Sequence, residues 1–243
     1  MRPSPLNTAG GCWNSYTSPL PPEGSAWNPS SVTDDEKHMK GPTADPGAPP
    51  LGSDEELRQR LSLVAETDAV RGVLFNAVLE VARNQGGDAA AQRCLEAGGE
   101  KKFLDFFSYP SSKYLEVLYT AARLRSSGQE DFEKALRHLG QQAAENFLLS
   151  AAGRTLLVLV QKDPHRLINT LPWAIQVGIS GVQVSVRRTG PWSGILTVHR
   201  DFSPRPFVEG GILATFVAAS VKGVKIRSWP TGPSTNEYEI SWQ

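Results

Sequence analysis

Apolar residues recur along this chain with two different periods, and the change between them near Trp173 constrains the fold more than any other feature. Before it, apolar side chains are spaced by three or four residues, which is typical of helices with one buried face. After it, Val182, Val184 and Val186 alternate with polar residues, which is typical of half-buried strands. Helices followed by strands predict an α+β fold.

Capping and turn residues divide the two halves into elements. Ser53 and Glu56 have the spacing of a capping box and predict the start of the first helix. Further helices are predicted over 67–85, 88–97, 111–124, 129–161 and 163–172. A hairpin is predicted over 182–199, then a helix over 207–220 and two strands over 224–229 and 237–242. We therefore expect one domain over 53–243, with an N-terminal helical layer (53–172) followed by a ββαββ antiparallel sheet unit (173–243).

The first 52 residues differ sharply in composition from the rest. Of the chain's 18 prolines, 10 precede residue 52, among many Gly, Ser, Thr and Asn. Such a segment buries too little apolar surface to offset the entropy lost on ordering. We predict a disordered Pro/Gly/Ser-rich tail over 1–52. Met39 offers an alternative translation start.

Charge and cysteine content exclude several classes of protein. The formal net charge is zero, and binding nucleic acid normally requires a basic surface. Apolar runs are much shorter than the roughly 20 residues of a membrane-spanning helix, so we expect no membrane span. Two distant cysteines cannot form a disulfide framework. These features favour the cytoplasm of a cell.

Motifs of common catalytic and cofactor sites are absent from the sequence. There is no Cys-x-x-Cys pair, no His-Glu-x-x-His, no phosphate-binding glycine loop and no Gly-x-Ser-x-Gly elbow. Cys94 has no sequence-adjacent base, so we interpret it as a packing residue. We therefore expect no catalytic residue, no metal site, no cofactor and no enzymatic activity.

One segment, 199–211, stands out as a candidate ligand site. Two prolines stiffen the chain between a predicted strand and a helix, and Arg205 lies at the helix N-terminus, where an anion is favoured. The same residues also suit a purely structural role, in which the prolines stiffen the turn and the glycines allow close packing. The candidate ligand-binding residues are His199, Arg205, Phe207 and Glu209, with Trp173 as a wall.

Several stretches resemble a known protein family. Arg71–Phe75, Gly153–Leu157, Pro206–Gly210 and Tyr238–Trp242 are similar to a myxobacterial paralogous family of about 200 residues and uncharacterised function. More distantly, helices followed by ββαββ resemble the fold of haem-nitric oxide-binding domains, vinyl-reductase-like domains and TRAPP vesicle-tethering subunits.

The resemblance to haem-binding domains can be compared with the residues present. Their Tyr-x-Ser-x-Arg motif, which holds the haem propionates, matches Tyr119 and Arg123 but has Ala121 in place of serine. Their haem-ligating histidine lies about thirty residues upstream, and this chain has no histidine between His38 and His138. The resemblance therefore implies the scaffold and not the haem.

Two hypotheses about function follow. The first is a non-enzymatic cytoplasmic regulatory or protein-interaction protein, acting as a homodimer or with a protein partner, in bacterial developmental or motility signalling. The alternative is a sensor of a small apolar or anionic ligand, with a pocket between helices and sheet. Ligand identity, partner, oligomeric state and biological process do not follow from the sequence.

Overall fold

The computed structural model describes residues 48–243, in which most of the helices precede a four-stranded antiparallel sheet. This arrangement confirms the predicted α+β class. Residues 1–47 of the predicted tail lie outside the described residues. Within the last part of that predicted tail, Leu51 packs against the helical core, and the Gly52 amide donates to Glu56 at 3.3 Å.

The described residues form seven helices and seven strands, numbered in chain order. The helices are α1 Asp54–Leu63, α2 Gly72–Ala97, α3 Ser111–Arg123, α4 Gln129–Leu149, α5 Ala151–Val160, α6 Pro164–Gly178 and α7 Arg205–Ala218. The strands are β1 Ala69–Arg71, β2 Ser108–Pro110, β3 Ile179–Ser180, β4 Gln183–Gly190, β5 Ser193–His199, β6 Lys225–Gly232 and β7 Thr235–Ser241.

The predicted ββαββ unit is present as β4, β5, α7, β6 and β7. Its four strands form an antiparallel sheet in the order β4-β5-β7-β6. Tyr238 of β7 is paired with Leu196 of β5 on one side and with Ser228 of β6 on the other. The crossing helix α7 therefore connects the two hairpins of one sheet.

A second, smaller sheet lies in the helical part and was not predicted. Its strands β2, β1 and β3 pair antiparallel, with β1 in the middle. The helix predicted from residue 67 consequently begins only at Gly72. Strands of two or three residues are too short to produce an alternating pattern, which explains why the sequence did not indicate them.

The helix predicted over 129–161 is two helices. Ser150 is extended, its hydroxyl accepts from the Gly153 amide at 3.2 Å, and it begins α5 after α4 ends. The two helices are bent by 89°. A side chain on Gly153 would overlap the Phe147 carbonyl oxygen, so glycine permits the close turn.

Two helix ends predicted from glycine and proline residues can be compared with the structure. The predicted break at Gly86 and Gly87 is present as a kink in α2, where Gly87 has φ 71°. The predicted end of a helix at Pro172 is wrong, because α6 continues to Gly178. Buried side chains before the proline, Leu167, Ile168 and Leu171, hold that part of α6 against the sheet core, which offsets the missing amide donor.

Apolar side chains form two cores. One is made mainly by α1 to α4 and includes Phe75, Leu115, Leu118 and Leu136. The other joins the four-stranded sheet to α5, α6 and α7 through residues such as Leu196, Phe216 and Ile240. The helical layer and the sheet unit thus each bury an apolar face of their own.

The two parts meet where α4 crosses α7. A side chain on Gly140 of α4 would overlap the carbonyl oxygen of Phe207, and one on Gly210 of α7 would overlap that of Arg137. The two helices therefore pack backbone against backbone, which only glycine allows.

Within residues 48–243, no single helix is long and apolar enough to cross a membrane. Helices α4 and α5 reach the required length and composition only when they are counted together across their bend.

Neighbouring glycines of α7 provide a test of the crossing. Gly210→Ala should lower the free energy of unfolding by about 1–3 kcal/mol, because the new methyl group overlaps backbone that has nowhere to move. Gly211→Ala should instead raise it by up to about 1 kcal/mol through helix propensity, since its methyl group would meet atoms no closer than 3.7 Å. Urea unfolding of both variants measures the difference. Equal effects of the two substitutions would contradict the close crossing.

Candidate functional site

Residues 199–209, here called the β5–α7 junction, connect the central hairpin to the crossing helix. The junction begins at His199, passes through Arg200 in a left-handed conformation (φ 57°), and enters α7 at Arg205. Pro204 precedes the helix with an extended backbone, as its fixed φ favours. Charged and polar side chains from five other parts of the chain converge on this segment.

Asp201 lies at the centre of the β5–α7 junction and is buried. Its carboxylate accepts from the Tyr238 hydroxyl at 2.6 Å and from the Asn236 amide at 3.1 Å, both on β7. Its own amide donates to the Ser234 carbonyl at 2.8 Å. Burial raises the pKa of Asp201 above its ordinary value, although hydrogen bonds from Tyr238 and Asn236 oppose that rise.

Arg60 connects α1 to the same junction. Its guanidinium donates to the carbonyl oxygens of Phe202 at 3.0 Å and Ser203 at 3.2 Å. It also forms an ion pair with Glu56 one turn earlier. The other Glu56 oxygen accepts from the Tyr119 hydroxyl of α3 at 2.5 Å. A continuous chain of hydrogen bonds therefore runs from α3 through α1 to the junction.

Asp68 forms a second link, in the loop before β1. The carboxylate is almost fully buried, accepts from the Ala65 amide at 2.7 Å and pairs with Arg200 at 2.6 Å. Gly181 (φ 88°) lies so close that any side chain there would overlap an Asp68 oxygen. A buried carboxylate is stable only when it is paired and hydrogen-bonded, as it is here.

Glu209 forms the third link, one turn into α7. Its two oxygens accept from Arg137 of α4 and from the Ser228 hydroxyl of β6. Arg205, one turn earlier at the start of α7, donates to the Ser228 carbonyl at 3.3 Å. The first turn of α7 is thus fastened to both the helical layer and the sheet.

The structure brings together three of the five predicted ligand-binding residues. Arg205, Phe207 and Glu209 lie on the first two turns of α7, and the Phe207 ring packs edge-on against Tyr114 with centroids 6.4 Å apart. His199 is exposed at the end of β5, with Nδ1 3.3 Å from the Thr235 hydroxyl. Trp173 lies on α6 and is 53% exposed, so it is not the wall of an enclosed pocket.

Sequence reasoning missed the partners that these residues find in the fold. Arg137, Ser228, Tyr238 and Asp68 come from α4, β6, β7 and the loop before β1, and only the tertiary fold brings them to the junction. No local sequence signal identifies these pairings, because elements far away in the chain decide which carboxylates are buried and paired.

Two depressions in the described surface, of about 330 and 310 Å³, are open to solvent, and neither is lined by residues of the junction. The first follows the outer side of α5, and the second lies between the start of α1 and Phe132.

Cys94 is fully buried in the helical core. Burial raises the pKa of its thiol to about 11, so the thiolate is scarce at neutral pH. The geometry is that of a packing residue, as the sequence indicated.

Residues 63–243 match a family described as a protein of unknown function, DUF2378. The chain belongs to this family. The expected membership of a family of uncharacterised function is thereby confirmed. No curated protein matches the chain significantly in sequence.

Solved structures with a fold similar to that of this DUF2378 member include H-NOX proteins. A Fe(II) unliganded H-NOX protein from K. algicida has a TM-score of 0.57 at 15% identity, covering 71% of this chain and 96% of its own. An H-NOX protein from S. oneidensis in the Fe(II)NO ligation state has 0.56 at 16%, covering 71% and 99%. An oxygen-binding H-NOX domain related to soluble guanylate cyclases has 0.55 at 9%, covering 71% and 95%. The expected fold resemblance to haem-nitric oxide-binding domains is confirmed.

The residues present do not fit a haem. Tyr119, which matches the motif for haem propionates, is fully buried and donates to Glu56. Arg123 donates to Asp54 and to the Gly52 carbonyl. Both side chains therefore hold the start of α1, and Arg123 borders only the second depression, which is open to solvent. Among residues 48–243, the histidines are His138, His165 and His199, none of them upstream of Tyr119.

The raised pKa of Asp201 predicts a pH dependence of stability. Burial favours the protonated carboxyl in the folded chain. The contribution of protonated Asp201 to the free energy of unfolding is therefore fully present below the ordinary pKa of 3.8 and is lost as the pH rises through the folded-state pKa. Asp201→Asn removes this titration. The free energy of unfolding of the wild type minus that of the variant should therefore fall from acidic to neutral pH, measured by urea unfolding. A difference that is constant or rises with pH would contradict the shift.

Proposed function

We propose that this chain is a sensor domain that works without haem, in which a small anionic ligand binds beside Arg205. The observation that carries the proposal is a difference in ion pairing among the arginines around the β5–α7 junction. Arg60, Arg137 and Arg200 each pair with a carboxylate. Arg205 forms no ion pair with any residue of the described chain and donates one long hydrogen bond. Its guanidinium keeps donors that suit a carboxylate or a phosphate.

The fold likeness supports a sensor over other uses of the scaffold. The similar structures include one protein with nitric oxide on Fe(II) and one with oxygen, and the likeness covers almost their whole length. A domain of the same fold that binds an anion through Arg205, in place of haem, is a variation of such a sensor. Fold alone does not determine function, so the proposal depends on Arg205 and its surroundings.

The junction offers a route for the signal. A ligand that draws Arg205 away from the Ser228 carbonyl acts on the first turn of α7, where Glu209 is fastened to Arg137 of α4. Displacement of that turn changes the position of α4 relative to the sheet. Binding energy converts into such a change only if the ligand contacts differ between the two arrangements, which a movable Arg205 provides.

The same contacts argue for a regulatory role and against catalysis. The buried carboxylates Glu56, Asp68, Asp201 and Glu209 all accept hydrogen bonds from side chains of their own fold. These carboxylates hold elements of the fold together, and we infer a structural role for them and not a catalytic one. We therefore propose a non-enzymatic regulatory domain of the cytoplasm.

Protein interaction is a second candidate function, favoured by the outer side of α5. Val158 and Leu159 are 74% and 55% exposed and line the first depression with Ala151, Arg154 and Thr155. These residues follow helical spacing on the side of α5 opposite its buried face, and Val158 and Leu159 make the C-terminal part of that side apolar. Such a surface suits contact with another helix, from a second copy or a partner.

Native mass spectrometry of the protein purified from its own host tests the sensor proposal. We expect a non-covalent mass in addition to the polypeptide, released on denaturation. Arg205→Ala should remove that mass while leaving the unfolding temperature almost unchanged, because Arg205 contributes a single long hydrogen bond.

Arg227→Ala is the matched control, since Arg227 is an exposed arginine on β6 and should leave the bound mass in place. Equal occupancy in the wild type and Arg205→Ala would remove Arg205 from the site. A bare polypeptide at dimer mass that becomes monomeric in Val158→Ser/Leu159→Ser would replace the sensor by the interaction function.

A further inference from the structure

The turn formed by residues 104–107 exposes three large apolar side chains. Phe106 is 87% exposed and Phe107 62% exposed, with Leu104 partly exposed beside them. The Phe106 side chain therefore makes almost no contact with its own chain. Two adjacent exposed phenylalanines are unusual on the surface of a protein that has no partner for them.

This turn is held in place rather than free to fold inward. The amides of Gly72 and Val73, at the start of α2, donate to the Phe107 carbonyl at 2.8 Å and the Asp105 carbonyl at 3.2 Å. The turn thus caps the helix. A side chain on Gly72 would overlap the Leu104 carbonyl oxygen, so the turn packs directly on the helix backbone. Its exposed rings are fixed by the fold.

Arg71 joins this turn to the end of α6. Its guanidinium donates to the Phe106 carbonyl at 3.1 Å and to the Val177 carbonyl at 2.9 Å. Val177 is exposed, and Trp173 lies one helical turn before it on the same side of α6. The aromatic surface therefore extends from the 104–107 turn to α6. We call these residues the aromatic patch: Leu104, Phe106, Phe107, Trp173 and Val177.

The charge next to the aromatic patch is positive. Lys101 and Lys102 immediately precede the turn, are exposed, and pair with no carboxylate of the described chain. Arg71 adds a third cation at the base of the turn. The one acidic side chain of the turn, Asp105, accepts from the Asn76 amide at 2.7 Å. Cations thus flank a protruding apolar tip.

We propose that the aromatic patch binds an anionic lipid surface, with Phe106 and Phe107 inserted among the acyl chains and Lys101 and Lys102 against the headgroups. Aromatic rings are favoured at the boundary between headgroups and acyl chains. Each lysine near an anionic surface adds further attraction. This is peripheral attachment, which needs no spanning helix.

The shape of the patch favours a lipid surface over a protein partner. A protein partner that buried Phe106 would have to supply a deep pocket for a ring that projects almost entirely into solvent, whereas acyl chains adapt to any shape. A second copy of this chain would bring Lys101 and Lys102 of both copies together, and like charges repel. An anionic bilayer provides both the apolar interior and the opposite charge.

Co-sedimentation of the full chain with vesicles tests the proposal. Vesicles of phosphatidylcholine with phosphatidylglycerol should bind the protein, and vesicles of phosphatidylcholine alone should bind it at least about 10-fold more weakly. Phe106→Ser/Phe107→Ser should lower the partition coefficient by about 10- to 100-fold, because two rings no longer leave water. Lys101→Ala/Lys102→Ala should lower it by about 10-fold or more, and added salt should do the same to the wild type.

The control is Trp192→Ser, which removes an exposed aromatic side chain between β4 and β5, outside the aromatic patch, and should leave vesicle binding unchanged. All three variants replace exposed side chains, and unchanged far-ultraviolet circular dichroism would verify their folding. Wild-type protein that stays in the supernatant with anionic vesicles would overturn the proposal. So would binding that survives the phenylalanine substitutions, or a dimer that these substitutions convert to a monomer without any vesicle binding.

Discussion

The close crossing of α4 and α7 is the constraint on which the rest of this structure depends. Gly140 and Gly210 let the two backbones touch, and that contact joins a helical layer and a sheet unit that otherwise have separate cores. The ion pair between Arg137 and Glu209 lies at the same crossing. Because protein interiors are tightly packed, a shift of either helix must be shared by the other. The crossing therefore sets the position of the β5–α7 junction relative to both halves.

Sequence periodicity predicted the long elements and missed the features that depend on tertiary contacts. The helical and alternating patterns on either side of Trp173 correctly indicated the α+β class and the ββαββ unit. Strands β1, β2 and β3 are too short to carry a period. The bend at Ser150 lies inside a continuous apolar pattern, so a cap that turns the chain by 89° was read as uninterrupted helix. Pro172 was read as a helix end because propensity says nothing about how firmly neighbouring turns are packed.

The candidate site was predictable only as a segment. Prolines, glycines and Arg205 indicated 199–211 as unusual, and Arg205 and Glu209 do lie together on α7. What gives the segment its character is the set of partners that arrive from distant positions, such as Arg60 of α1 and Tyr238 of β7. No local pattern announces that a carboxylate will be buried, because burial is decided by elements far away in the chain. That Arg205 forms no ion pair in the described chain, unlike Arg60, Arg137 and Arg200, is evident only from the tertiary structure.

The participation of α1 in the hydrogen-bond chain affects where the folding unit begins. The family match starts at residue 63, the last residue of α1, yet Glu56 and Leu57 are buried and Arg60 holds the carbonyls of Phe202 and Ser203. A fragment cut at that family boundary would leave the Tyr119 hydroxyl without its acceptor inside an apolar core. A buried hydroxyl without a hydrogen-bond partner lowers the free energy of unfolding. An expression boundary for the folded unit therefore belongs before Leu51, the first of the described residues that packs on the helical core.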